Sequence, residues 1–248
     1  SKVAADMVKV SATTADNSCV IGGLAYGYYV VDEVSEVEGT HSAASMCIVN
    51  TANPEAGVNI KSDYPSVIKK IQEDDNKNKV GNSGWNDIAD YEIGQTIPYK
   101  YESNMPNANG YDTYYYAWHD KMDSALTFNK DSVSIKIYAD SSESSKSYTL
   151  KANEFVVNTN LGNGETFTVA VNDIKKIIDR EFDNVDALKE NTYGQKIVLT
   201  YNATLNDNAA ADTGRPGFEN DVRLEFSNDA DHDHDGSTGF TPWDTVVC

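Results

Sequence analysis

Val67-Ile68-Lys69-Lys70-Ile71, opened by the punctuation Tyr64-Pro65-Ser66, reads as a β-strand because β-branched residues dominate it and a proline turn precedes it. Working outward, the same texture recurs in Val30-Val31, Val58-Asn59-Ile60, Ser132 to Tyr138, Phe155 to Val157, Thr166 to Val171, Lys196 to Asn202 and Val222 to Phe226. Gly, Asn, Asp or Ser bounds each of them. Many short strands separated by turn residues predict an all-β fold built as a β-sandwich. Helical spacing is found in Asn172 to Lys189, where Ile174, Ile177, Ile178 and Phe182 recur on one face, so a short helical insertion covering a sheet edge is expected there. Asp140 to Ser147 and Asn206 to Asn220 have the Asn, Asp and Ser content of solvated loops on an extracellular surface.

The 248 residues are enough for one large domain or two ordinary ones. Lys and Arg number 20 against 39 Asp and Glu, a net charge of −19 that repels phosphate backbones and anionic membranes, so nucleic acid is not expected as a partner. No run approaches the roughly 20 apolar residues of a membrane span. Cys19, Cys47 and Cys248 are too few and too scattered for a disulfide framework or a zinc site, leaving a single Cys19–Cys47 bridge as the open pairing. Ser1 opens without a leader, and Thr245-Val246-Val247-Cys248 stops where a strand is under way, so the chain reads as part of a longer or processed protein.

Lys is absent between Lys9 and Lys61, after which Tyr64-Pro65-Ser66 breaks the chain and a new strand starts. This sets a boundary at residues 62 and 63. Residues 1–62 are too short for a sandwich and are expected to be the C-terminal part of a preceding β domain. Residues 63–248 are long enough for a complete one.

Several segments, in order, resemble the Gram-positive sortase-assembled pilus backbone proteins. They are Tyr26-Gly27-Tyr28-Tyr29-Val30-Val31, Val58-Asn59-Ile60-Lys61, Pro65 to Lys70, and the stretch from Gly84-Trp85-Asn86-Asp87 to Gln95-Thr96-Ile97-Pro98. Tyr116-Ala117-Trp118-His119-Asp120-Lys121-Met122-Asp123-Ser124-Ala125-Leu126-Thr127-Phe128-Asn129 is similar to that family's F-x-D-x-M-S-x-G-L-T-Y segment. Thr200 to Asn206 and Asn220 to Asp229 resemble its last two core strands. Lys121 after the acid and Ala125 in place of the usual Gly depart from the pattern.

The resemblance implies immunoglobulin-like sandwiches of the collagen-adhesin type, each locked by an isopeptide bond that forms between a Lys and an Asn without another enzyme. The residues it selects are Lys69 as nucleophile, Asp120 as proton donor and Asn228 as acceptor amide. Strand alternation fits these roles: Lys69 shares a face with Val67 and Ile71, and Asn228 with Leu224 and Phe226. Burial lowers the pKa of an unpaired amine and raises that of a carboxyl, the two shifts such a reaction needs. Lys70 takes the place of Lys69 if the register slips by one residue, Asp123 competes with Asp120, and Asn220 and Asn206 compete with Asn228. Such a protein crosslinks itself once and turns over no substrate.

The family also carries a second lysine on which sortase builds the polymer. Its usual Tyr-Pro-Lys motif follows a Val-x-Val strand; here Val58-Asn59-Ile60 supplies the strand and Lys61 the amine, with Tyr64-Pro65 after it. The implied partners are sortase and further copies of the same subunit in a head-to-tail fibre, and the implied location is a cell-wall-anchored pilus on the cell surface.

Asp231, Asp233, Asp235 and Gly236 reproduce the D-x-D-x-D-G opening of a calcium loop, which makes Ca2+ the candidate ion although no cofactor is required. The bidentate Glu of the twelfth position is replaced by Pro242, with Asp244 nearby, and a solvated acidic loop is the alternative. His232 and His234 are the atoms a transition metal would use.

Two other function classes stay open. An adhesin or carbohydrate-binding sandwich would use the run Tyr111 to Tyr116 for stacking. A hydrolase would use paired carboxylates, but 39 acidic residues make some pair inevitable and no surrounding motif selects one.

Overall fold

The alternating segments of the sequence become strands in the computed structural model, which describes residues 20–31, 45–55, 64–73, 84–182, 185, 191–211, 217–228 and 237–248. In chain order the strands are β1 (Gly27–Val31), β2 (Ser45–Val49), β3 (Val67–Gln72), β4 (Trp85–Asn86), β5 (Thr96–Asn104), β6 (Tyr116–Met122), β7 (Leu126–Tyr138), β8 (Ser147–Thr149), β9 (Val156–Asn158) and β10 (Phe167–Val171). Helix α1 (Ile174–Glu181) follows, then β11 (Lys196–Leu205), a short 3-10 turn at Asp207–Ala211, β12 (Glu219–Ser227), β13 (Thr238–Phe240) and β14 (Asp244–Val247).

Two compact units divide these elements. The first holds β1 and β2, an antiparallel pair in which Gly27 lies opposite Val49 and Val31 opposite Ser45. The second holds β3 to β14 as two sheets. One has the order β13-β12-β6-β10-β9, with β14 also on β12; the other has the order β4-β3-β5-β11-β7-β8. Their inner faces share one core, in which Phe167 of β10 stacks on Phe128 of β7 at 3.7 Å and meets Tyr201 of β11 edge-on. Trp118, Val222, Leu224 and Phe226 fill it from the first sheet, and Ile71, Ile97, Ile135, Ile197 and Leu199 from the second. Face-to-face sheets with inward residues at every second position are the defining geometry of a β-sandwich.

Helix α1 is shorter than the expected span. Asp173 caps it, its side chain accepting from the Lys176 N–H at 3.1 Å, and the chain turns extended at Phe182. Ile174, Ile177, Ile178 and Phe182 are buried, as their spacing predicts. Two central strands, β5 and β6, are absent from the sequence reading. β5 alternates its buried residues with Pro98, Lys100 and Glu102, and β6 carries Ala117, His119 and Lys121 on its outer face, so neither has the β-branched density of the others. The expected strand at Val58-Asn59-Ile60 and one partner of the Cys19–Cys47 pairing lie outside the described residues. Among the described residues, no helix is long and apolar enough to cross a membrane.

Candidate functional site

β3 shows why a lysine enters the interior. Val67, Lys69 and Ile71 alternate inward while Ile68 faces out, and Lys69 pairs with Tyr101 of β5. Opposite it, β12 runs antiparallel to β6 with Val222 facing Asp120 and Asn220 facing Met122. Asp120 and Asn220 are therefore diagonal neighbours on the inner face of their sheet. Lys69, Asp120 and Asn220 are each 0% exposed.

The three side chains meet. Lys69 Nζ donates to Asp120 Oδ2 at 2.6 Å, to Asn220 Oδ1, and to the Asp221 carbonyl at 3.2 Å. Tyr101 and Tyr201 donate their hydroxyls to the same Asp120 Oδ2, Tyr201 at 3.0 Å. Asn220 Nδ2 in turn donates to the Tyr201 hydroxyl at 3.0 Å. The rings of Tyr101, Tyr99 and Tyr201 surround the ammonium, with centroids 5.1, 5.6 and 5.9 Å from Nζ. Tyr99 stacks on Tyr201 at 5.2 Å, which fixes the second ring. Among the described residues, Asp120 Oδ1 is buried with no hydrogen-bond partner, so the contacts of the carboxyl all run through Oδ2.

Burial dominates the electrostatics. It pulls the Lys69 amine down to about 8 against the opposing attraction of Asp120, and it raises the Asp120 carboxyl against the opposing attraction of Lys69. Both shifts favour moving the shared proton from nitrogen to oxygen. Desolvation also pushes the Tyr101 and Tyr201 phenols well above their ordinary range, so both remain hydroxyl donors. A neutral amine against a carboxamide, beside a protonated acid in a dry pocket, has the parts of an amide exchange that expels ammonia.

Of the residues selected from sequence, Lys69 and Asp120 are brought together and Asn228 is not. Asn228 is buried on the same face of β12 as Asn220, but it lies eight residues further on, roughly 27 Å of extended chain. It sits past the end of β12, with its N–H directed to the Ser237 carbonyl. Alternation places both asparagines inward, and only the pairing of β12 with β6 decides which one reaches Asp120.

The competing residues have other duties. Lys70 points outward to Asp87 at 2.5 Å, Asp123 Oδ1 accepts from the Ala125 N–H in a turn, and Asn206 donates to the Ser124 carbonyl and the Thr127 hydroxyl. Lys61 and the acidic loop with Asp231, Asp233 and Asp235 lie outside the described residues. Of the run from Tyr111 to Tyr116, Tyr114 and Tyr116 are core residues, while Tyr111, edge-on against Tyr114, and Tyr115 are half-buried. Sequence reasoning missed Tyr99, Tyr101 and Tyr201; the spacing of two between the first pair is the one signal that aims both at one face.

No family model and no curated protein matches the chain. Solved structures do. The chain is similar to BcpA, the major pilin subunit of Bacillus cereus, at 17% identity and a TM-score of 0.52, covering 91% of this chain and 55% of that one. It is also similar to the T6 backbone pilin of serotype M6 Streptococcus pyogenes, at 16% identity and a TM-score of 0.53, covering 91% of this chain and 46% of that one. The chain thus has the fold of Gram-positive backbone pilins and spans about half the length of these two.

Proposed function

We propose that the chain is a structural shaft subunit of a covalently polymerised surface pilus, stabilised by an isopeptide bond between Lys69 and Asn220. The observation that carries this reading is the buried contact of Lys69 Nζ with both the Asn220 amide and Asp120. A lysine is costly to bury unless it is paired or consumed, and here it lies against an electrophile. Lys69 passes a proton to Asp120, and the freed amine attacks Asn220 Cγ. A C–N bond forms and the carbonyl electron pair moves to Oδ1; the Asn220 amide nitrogen then takes the proton held by Asp120, the pair on Oδ1 re-forms the carbonyl as the old C–N bond breaks, and ammonia leaves. Asp120 recovers a proton from Lys69 Nζ, so the acid is regenerated and the product is a neutral amide.

The bond ties β3 to β12 across the two sheets, joining residues 151 apart in sequence. A crosslink of that span lets the sandwich resist unfolding under tension, which is the demand on a fibre subunit. Lys61 is the amine on which sortase would extend the fibre, and further copies of the chain are its partners. Residues 63–248 form the crosslinked domain, preceded by the end of another, and the mature fibre is anchored to the cell wall.

Intact and peptide mass spectrometry of the purified chain and of Asp120→Ala tests the reading. Wild type is expected to be lighter by one ammonia, with a peptide joining Lys69 to Asn220 that is missing from the variant. A full mass with both peptides free overturns it.

A further inference from the structure

Amide exchange has a difficulty that the Lys, Asp and Asn groups do not by themselves resolve. The departing group is an amide nitrogen, which leaves only once it has been protonated, and Asp120 makes its contacts through Oδ2 to Lys69, Tyr101 and Tyr201, with none to that nitrogen. The phenols of Tyr99 and Tyr201 both face the Asn220 amide, and among the described residues the Tyr201 hydroxyl is the one at hydrogen-bond distance from that nitrogen. Asn220 Nδ2 lies 3.0 Å from this oxygen, and the same oxygen lies 3.0 Å from Asp120 Oδ2. Tyr201 therefore spans the gap between the acid and the leaving group.

We propose that Tyr201 is a catalytic residue of the self-crosslinking reaction, relaying the proton of Asp120 to the departing nitrogen of Asn220. The inference rests on the isopeptide reading above. In the resting state the chain of bonds runs from Asn220 Nδ2 through the Tyr201 oxygen to Asp120. Once Lys69 has added to Cγ, the nitrogen becomes a tetrahedral amine with a lone pair, and the direction reverses. The Tyr201 O–H proton moves to that nitrogen, and the Asp120 proton replaces it on the phenol oxygen. The Cγ–N bond breaks and ammonia leaves. Asp120, now a carboxylate, takes the surplus proton from Lys69 Nζ through their direct contact, which leaves Asp120 protonated, as it was after the first transfer from Lys69, and Tyr201 as a phenol again.

The surroundings hold the hydroxyl for this task. Tyr201 is 1% exposed, and its ring is stacked on Tyr99 and met edge-on by Phe128 and Phe167, so the oxygen has little room to swing away. Its partner Tyr101 is the internal control. It donates to the same oxygen of Asp120, and among the described contacts none joins its hydroxyl to Asn220.

The test is the rate at which ammonia is lost when chain isolated unfolded is allowed to fold, followed by mass for wild type, Tyr201→Phe and Tyr101→Phe. Both substitutions keep the ring and remove one donor to Asp120; only the first removes the path to the leaving nitrogen. Tyr201→Phe is expected to slow crosslinking by about 100-fold, the low end of the range for general acid catalysis, and clearly more than Tyr101→Phe. Equal slowing of the two variants, or an unslowed Tyr201→Phe, overturns the relay while leaving the isopeptide reading intact. A wild type that never loses ammonia overturns both. Should Tyr201→Phe not fold, the wild-type rate in mixtures of light and heavy water decides: two protons moving together give a curved dependence on deuterium fraction, and a straight line overturns the relay.

Discussion

The Asp244 carboxylate accepts a hydrogen bond from the backbone N–H of Lys69, with 2.6 Å between Oδ2 and N. β14 thereby touches the two strands that carry Lys69 and Asn220, since its Val246 lies opposite Asn220 in β12. A backbone donor of β3 that would otherwise lack a strand partner is satisfied by a charged acceptor. Asp244→Ala is expected to destabilise the domain by about 2 kcal/mol, the range for a hydrogen bond to a charged group. Chemical denaturation in an Asp120→Ala background, where no crosslink masks the loss, measures it. A change near zero would show that β14 is held by its pairing with β12 alone.

Asn220→Ala and Asn228→Ala separate the two candidate acceptors. The first is expected to abolish the loss of ammonia and the second to leave it intact, by intact mass. Without the bond, the constraint on a loop of 151 residues disappears, worth roughly 5 kcal/mol by the chain-entropy relation for crosslinks. Denaturation midpoints of wild type and Asn220→Ala read that difference.

The uncrosslinked domain should respond to alkali in a way the crosslinked one does not. Burial holds Lys69 at about 8 when folded, against 10.5 for the ordinary amine. Between those values the unfolded chain keeps a proton that the folded chain has released, so stability rises with pH. Below about 8 this lysine contributes no slope. Asn220→Ala is expected to gain roughly 3 kcal/mol across that window. In wild type Lys69 is consumed as an amide, and the gain should be absent. Parallel denaturation series at stepped pH compare the two.

A second titration belongs to the outer face of the β6 and β12 sheet. His119 Nδ1 lies 2.7 Å from Glu165 and Nε2 lies 2.8 Å from Glu225, so both ring nitrogens face carboxylates. Arg223 shares Glu165 at 2.7 Å, and Thr238 donates to Glu225. Burial alone would lower this imidazole, but the two carboxylates outweigh it and its pKa is raised above 6.5. The resulting stabilisation is complete below 6.5 and disappears as pH rises through the raised value. His119→Ala is expected to remove that slope and cost about 2 kcal/mol on its acid side, by thermal or chemical denaturation.

Asp173 accepts from the Lys176 N–H at 3.1 Å and from the Tyr114 N–H at 3.2 Å, so it caps α1 and pins the entry to β6 with one side chain. Asp173→Ala is expected to cost about 1 kcal/mol, while Asp173→Asn keeps the acceptor and should cost much less. Denaturation midpoints of the two variants read the difference.

Strand period and turn residues were enough to read an all-β sandwich with one short helix, and the inward positions of Lys69 in Val67-Ile68-Lys69-Lys70-Ile71 and of the Asn220-to-Asn228 series follow from local alternation. These are properties of neighbours along the chain, which the order of residues states directly. Which asparagine meets Lys69 is not such a property. Asn220 and Asn228 share a face, and only the antiparallel register that sets Val222 against Asp120 brings the first of them to the acid. The tyrosines were hidden for the same reason. Tyr99 and Tyr101 of β5 and Tyr201 of β11 surround the amine of β3 because these three strands, distant in sequence, pair side by side in one sheet. Alternation decides which way a side chain points; the pairing of strands and the packing of one sheet on the other decide what it meets.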